Sequence, residues 1–337
     1  MSRDYFSLAI NEKLGEADLR AELDLVLQGS QNNNQRFVPS IAHTRDGQPL
    51  SYNRAPSDDL APWFARLYVT KVDQGENSAR CGLLNDTPFV RIQLSGDWQA
   101  ETADGRRNFG RAALFFGPQT RRMPLEVRGG FTSLGVAIRP GACTALKGPK
   151  IGEYLDRLTP IETVSGVDQS IIDEFSDDVS PEDWLRHLED FLRERITAHG
   201  YAEPHPVTRS FETLSMTDPS VSIAEAAERC DVDRRQLERI VRRDFGMSPK
   251  QVLRRARALD MASQLRGVAD GSEGDQMALR YYDDSHRIHE FSEFFGMSPR
   301  QFMERPQLLM TLALESRQAR RLEMLKRIEP GKTRPWQ

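Results

Sequence analysis

Ten basic residues fall in one short window: Arg229, Arg234, Arg235, Arg239, Arg242, Arg243, Lys250, Arg254, Arg255 and Arg257. Asp231, Asp233, Glu238 and Asp244 oppose them, so the window is +6 in a chain whose total is −4. Cationic side chains gathered in this way do the chemistry of phosphate binding, and a basic patch in a mildly acidic protein is the electrostatic footprint of a nucleic-acid site. The other reactive residue types form no competing constellation. His43, His187, His199, His205, His286 and His289 all lie outside the segment with strand patterning, so a histidine-rich metal site is not expected there. Cys81, Cys143 and Cys230 are far apart and fit neither a disulfide framework nor a CxxC zinc site. That usage points to a reducing compartment, the cytoplasm. No Gly-rich phosphate loop occurs, and neither catalysis nor a cofactor is implied.

The elements that must position the basic residues are written twice. Val232–Val252 aligns with Tyr282–Phe302 at an offset of 50, and Phe-Gly-Met-Ser-Pro at 245–249 recurs at 295–299. Such a repeat means two copies of one supersecondary unit. In the first copy Ser222 and Glu225 suit a capping box, and Ile223, Ala226, Ala227 and Cys230 form an apolar stripe. Asp233 suits the N-cap of a second helix with Leu237, Ile240, Val241 and Phe245 inward and Arg235, Arg239 and Arg242 outward. Gly246 ends that helix, and Ser248-Pro249-Lys250-Gln251 opens a third, reaching about Arg266. A short helix, a tight turn and a second helix with a basic face make a helix-turn-helix.

Two such units joined by one long helix, each followed by a GxSP-type turn, with YYDDSH at the second turn, resemble the DNA-binding domain of the AraC family over residues 205–305. The resemblance implies DNA-contacting residues by position: Arg235, Glu238 and Arg239 in the first unit, and Ser285, His286, Ile288 and His289 in the second. Arg234, Arg242 and Arg243 are placed for phosphates, which position without specifying. Arg287 departs from the pattern, since the family usually has an apolar residue there. From Ala258 to Glu304 four basic residues face nine acidic ones, a net of −5. DGSEGDQMALR also leaves little room for the first helix of the second unit. The first unit is therefore expected to supply most of the affinity, so that Arg239→Ala costs more than His289→Ala.

Upstream, the pattern changes. Glu16–Leu27 suits a short amphipathic helix, followed by the polar stretch QGSQNNNQ. In PFVRIQL, Val90, Ile92 and Leu94 alternate with polar residues, the period of a half-buried strand. RAALFF ends at GPQT, and LEVRGGFTSLGVAI reads as a hairpin turning at Gly129-Gly130. Residues 88–165, with GPQT and GVAIRPGA, resemble a cupin-like domain found in some AraC-type regulators. Phe89, Trp98, Phe115, Phe116 and Phe131 either line a ligand cavity or fill the core. Ser180, Pro181, Glu182 and Asp183 open a helix whose face of Trp184, Leu188, Phe191 and Leu192 suits pairing with a second copy or packing on the β domain.

The expected architecture is α+β. It comprises an N-terminal segment (1–60), a cupin-like β-barrel or sandwich (61–165), a helical connector (166–204), an all-α double helix-turn-helix domain (205–305) and a basic helical tail (306–337). From Arg305 to Gln337 eight basic residues stand against three acidic ones, and the tail either reaches DNA phosphates or packs on the domain. No apolar run is long enough to span a bilayer, and the N-terminus lacks a secretory pattern. The expected partners are double-stranded DNA, RNA polymerase, a small-molecule effector and a second copy of the chain. The alternative is a protein-interaction or dimerisation module without a ligand.

Overall fold

Alternation builds the N-terminal half. In the computed structural model, which describes residues 51–72, 78–175, 179–200, 202–269, 284–329 and 334–336, eight strands form one antiparallel sheet. They are β1 (Tyr52–Arg54), β2 (Phe64–Val72), β3 (Ser78–Leu83), β4 (Phe89–Thr102), β5 (Gly105–Phe109), β6 (Ala112–Phe116), β7 (Met123–Ile138) and β8 (Leu158–Pro160). The hydrogen-bonded order is β1-β2-β7-β4-β6-β8, with β3 also on β7 and β5 also on β4. The path does not close, so the expected barrel is an open sheet. The amphipathic segment Glu16–Leu27 lies outside the described residues, as does DGSEGDQMALR.

The hairpin expected at Gly129-Gly130 is not formed. One continuous strand, β7, runs through both glycines, pairing with β3 before them and with β2 after them. Gly129 has φ +69° and kinks the strand without reversing it. Opposite, β4 bends at Gly96 (φ +100°), where the β4–β7 register shifts, and a Cβ there would come within 2.6 Å of the Phe131 Cβ. The two longest strands therefore crease together. Adjacent residues then serve opposite faces: Phe115 joins one apolar cluster and Phe116 another.

Helices cover the sheet. They are α1 (Ala142–Ala145), α2 (Ile161–Ser165), α3 (Pro181–His199), α4 (Pro206–Thr217), α5 (Ile223–Arg229), α6 (Arg234–Phe245), α7 (Pro249–Leu265), α8 (Asp284–Phe295), α9 (Pro299–Glu304) and α10 (Leu308–Met324). Helix α3 starts as its sequence requires, with the Ser180 hydroxyl accepting from the Asp183 amide and Gly200 closing it in the left-handed region. Its stripe of Trp184, Leu185, Leu188, Leu192 and Ile196 is buried on the Phe115 face of the sheet. Each Leu or Ile buried there contributes about 1.5–3 kcal/mol. The face that suited dimerisation is consumed within the chain. Phe89 stacks on Phe116 (4.3 Å between centroids) and Trp98 meets Phe131 edge-on (4.8 Å), so these four aromatics fill the core.

The basic tail packs. Leu309 and Leu312 of α10 join the Phe116-side cluster, while Met310 and Leu314 join the cluster of the second helix-turn-helix unit. Its arginines turn inward: Arg317 meets Asp260 at 2.5 Å and Arg320 meets Glu212. Arg66 of β2 pairs with Glu323 at 2.6 Å. Arg255 of α7, fully buried, donates to the carbonyls of Gln119 and Asp86. Burial pulls its guanidinium pKa down to about 10. The helical region and the sheet thus share a strongly polar seam.

Candidate nucleic-acid interface

Short-range chemistry sets both recognition helices. Ser222 caps α5 by accepting from the Glu225 amide. The reciprocal half of the expected capping box is absent, because Glu225 pairs with Arg229. Asp231 takes φ +55° in the tight turn, and the Asp233 carboxylate caps α6 by accepting from the Gln236 amide at 2.8 Å. Leu237, Ile240, Val241 and Phe245 are buried, which fixes the rotation of α6 about its axis. Gly246 (φ +73°) closes α6, and Ser248 and Gln251 form the full capping box of α7.

Among the described residues, the second copy repeats the closing half of this chemistry. Phe291 and Phe295 are buried where Val241 and Phe245 are, and Gly296 (φ +67°) closes α8. Ser298 and Gln301 form the capping box of α9. The fifty-residue repeat is thus a structural duplication around α7.

The exposed side of α6 carries Arg235, Arg239 and Arg242, with Arg234 at its first turn. Among the described residues, no carboxylate lies within ion-pair distance of Arg234, Arg235 or Arg239. Glu238 holds Arg242 at 2.7 Å, so these two act as a pair. Arg243 is exposed but bound to the buried Asp244, which also accepts from Thr144 (2.9 Å) and Thr208 (2.5 Å). Ion pairing to Asp244 raises the Arg243 pKa, so it stays charged there. On α8, Ile288 is 48% exposed and His289 is exposed. Ser285 and His286 lie in the first turn of α8, and their side chains are outside the described residues.

The structure revises the charge arithmetic in both units. Arg254 reaches Glu290 at 2.8 Å and Glu293 as well, and Arg257 reaches Glu290 at 2.7 Å. Arg229 is held by Asp218 and Glu225, and Arg255 is buried. Much of the +6 is therefore buried or offset by ion pairs. The acidity of the second unit is likewise partly internal: Glu290 and Glu293 face α7, Asp260 faces α10, and Glu304 holds Arg300. Among the described residues, those left exposed and without a carboxylate partner on the first unit are Arg234, Arg235, Arg239 and Lys250. The family resemblance does not mark Lys250 as a contact. The repeat pairs it with Arg300, which is also exposed, and that equivalence was legible in the offset of 50.

Residues 226–305 match the family of the helix-turn-helix domain, AraC type, and the match spans both recognition helices and α7. The C-terminal region therefore carries an AraC-type DNA-binding domain of the kind found in transcription regulators. No curated protein sequence matches the chain. Among solved structures, ToxT from Vibrio cholerae is similar with a TM-score of 0.43 and 9% identity, over 71% of this chain and 97% of that one. Unsaturated-fatty-acid-bound ToxT from Vibrio cholerae strain SCE256 is similar with a TM-score of 0.43 and 11% identity, over 74% of this chain and 96% of that one. In the described residues no helix is long and apolar enough to cross a membrane.

Proposed function

We propose that this chain is a sequence-specific transcription regulator whose α6 lies in the major groove, with Arg235 and Arg239 reading base edges. The observation that carries this reading is the exposed, carboxylate-free pair of arginines one turn apart on a helix whose rotation is fixed by its buried side. A bidentate arginine–guanine contact discriminates by about 1–3 kcal/mol. Arg234 and Lys250 suit phosphates flanking the groove. Arg242 suits a phosphate but shares its charge with Glu238, and Arg243 is the weakest candidate because Asp244 holds it. The second unit reads through Ser285, His286, Ile288 and His289, with the exposed Ile288 suited to a thymine methyl.

As a regulator the chain acts in the cytoplasm, meets RNA polymerase at the promoter and performs no catalysis. The sheet domain takes a small-molecule effector. A homodimer would form through a surface other than the buried stripe of α3. The test is selection of full-length protein on randomised duplexes. A two-block motif whose first block is lost in Arg235→Ala supports the reading, and recovery of unenriched duplexes overturns it.

A further inference from the structure

The Phe115 face of the sheet is not filled by α3 alone. A cavity of about 380 Å³ lies between them, floored by Val90, Ile92, Phe115 and Val136 and roofed by Leu188 and Leu192. Its volume is in the roughly 300–1,000 Å³ range of small-molecule sites. The lining is apolar except at the rim, where Lys147, Arg195 and His199 stand with Ser165. No aspartate or glutamate lines it. Among the described residues no carboxylate lies within ion-pair distance of Lys147 or Arg195. The Arg195 guanidinium donates instead to the Ser165 carbonyl at 3.1 Å. An apolar chamber with a cationic, carboxylate-free rim is complementary to an amphipathic anion.

One wall connects this chamber to the DNA-binding helix. Ala142, Cys143 and Leu146–Pro149 line the cavity. The same short segment presents the Thr144 hydroxyl to Asp244 at 2.9 Å. Just beyond, a Cβ on Gly246 would meet Leu155 at 3.1 Å and Gly152 at 3.3 Å. Asp244 and Gly246 form the C-terminal end of α6. A ligand that displaces this wall acts on the contacts that hold the recognition helix.

We infer that the cavity binds an amphipathic monocarboxylate, with its apolar body under α3 and its carboxylate against Lys147 and Arg195, and that occupancy is transmitted to α6 through residues 142–155. The transmission half rests on the regulator reading above; the binding half does not. The body is excluded from water by the sheet and α3, and the head group makes charge-assisted hydrogen bonds at the rim.

The test uses full-length protein with sodium decanoate below its micellar concentration, and decanol as the uncharged comparator. Calorimetry is expected to give one site, with decanoate weakened at least tenfold in Lys147→Ala plus Arg195→Ala and decanol unchanged. Both residues are at the rim, and a matching circular-dichroism melt establishes that the variant is folded. As a second variant, Leu146→Trp fills the mouth and is expected to weaken both ligands. No binding, or decanoate binding that ignores the rim charges, overturns the site. DNA affinity measured with and without saturating decanoate is expected to change at least threefold, and Thr144→Ala to reduce that change. Rim-dependent binding with unchanged DNA affinity overturns the transmission. Rim-dependent decanoate binding by a protein with no DNA affinity leaves the site standing and overturns the regulator reading.

Discussion

Glu290→Ala strips a shared carboxylate from two guanidinium groups at once. The Glu290 side chain is 3% exposed, and those of Arg254 and Arg257 are 23% and 20% exposed. It accepts from Arg254 Nε at 2.8 Å and from Arg257 at 2.7 and 3.0 Å. Removing one partner of a buried pair typically costs about 3–5 kcal/mol. Arg254 keeps Glu293 and Arg257 keeps the Pro219 carbonyl, and a fifth of each guanidinium side chain still meets water. The expected loss is therefore about 2–4 kcal/mol for Glu290→Ala and about 1–2 kcal/mol for Glu290→Gln, which keeps part of the hydrogen bonding. Urea denaturation of the full chain at neutral pH reads both. DNA anisotropy gives a second, sign-sensitive readout. If the acidity of the second unit repelled phosphate, Glu290→Gln would tighten DNA binding. If Glu290 instead joins α7 to α8, the same change weakens binding, because the two recognition helices lose their fixed relation. A loss below about 1 kcal/mol for Glu290→Ala, or tighter binding by Glu290→Gln, refutes the reasoning.

Three further outcomes follow from local geometry. Gly246→Ala and Gly296→Ala both place a Cβ at positive φ, costing about 1 kcal/mol each. Gly246→Ala costs more because its Cβ would also crowd Leu155 and Gly152, whereas nothing lies within 4 Å at Gly296; chemical denaturation of the two variants ranks them. Ser248→Ala and Ser298→Ala each remove one half of a capping box, with an expected loss of about 1 kcal/mol by the same measurement. Burial alone would raise the Glu189 pKa, but hydrogen bonds from Arg54 and the Ser57 amide outweigh it and hold it below its ordinary 4.5. A depressed folded-state pKa stabilises fully above the unfolded value and is lost as pH falls through the folded one. The urea midpoint of the wild type should therefore fall below about pH 4.5 more steeply than that of Glu189→Gln.

The helices were legible because their determinants are local. Ser180, Asp233, Ser248 and Gly246 each act within four residues, and the repeat writes the duplication into the sequence itself. The sheet was harder. Gly129-Gly130 suits a hairpin turn by composition, but the strand only kinks there, because β2 and β3 take successive halves of β7 as their partner. The apolar stripe of α3 was visible, yet whether the sheet or a second copy covers it depends on long-range packing. Charge was the least legible. A window sum treats Arg254 and Arg257 as surface cations, whereas Glu290 lies 36 and 33 residues away in sequence and against both in space. The inward turn of Arg317 toward Asp260 is hidden in the same way, and so the basic tail is a buried brace.

Specific DNA binding through Arg235 and Arg239 of α6 underlies the regulator reading. Fluorescence anisotropy on the fragment upstream of the coding sequence, titrated with salt against an unrelated duplex, tests it most directly. The wild type is expected to prefer the upstream fragment. Arg235→Ala plus Arg239→Ala is expected to lose that preference, while the salt slope, set mainly by phosphate contacts such as Arg234 and Lys250, changes little. Equal, weak binding to both duplexes by the wild type, or a preference that the double variant keeps, would contradict it.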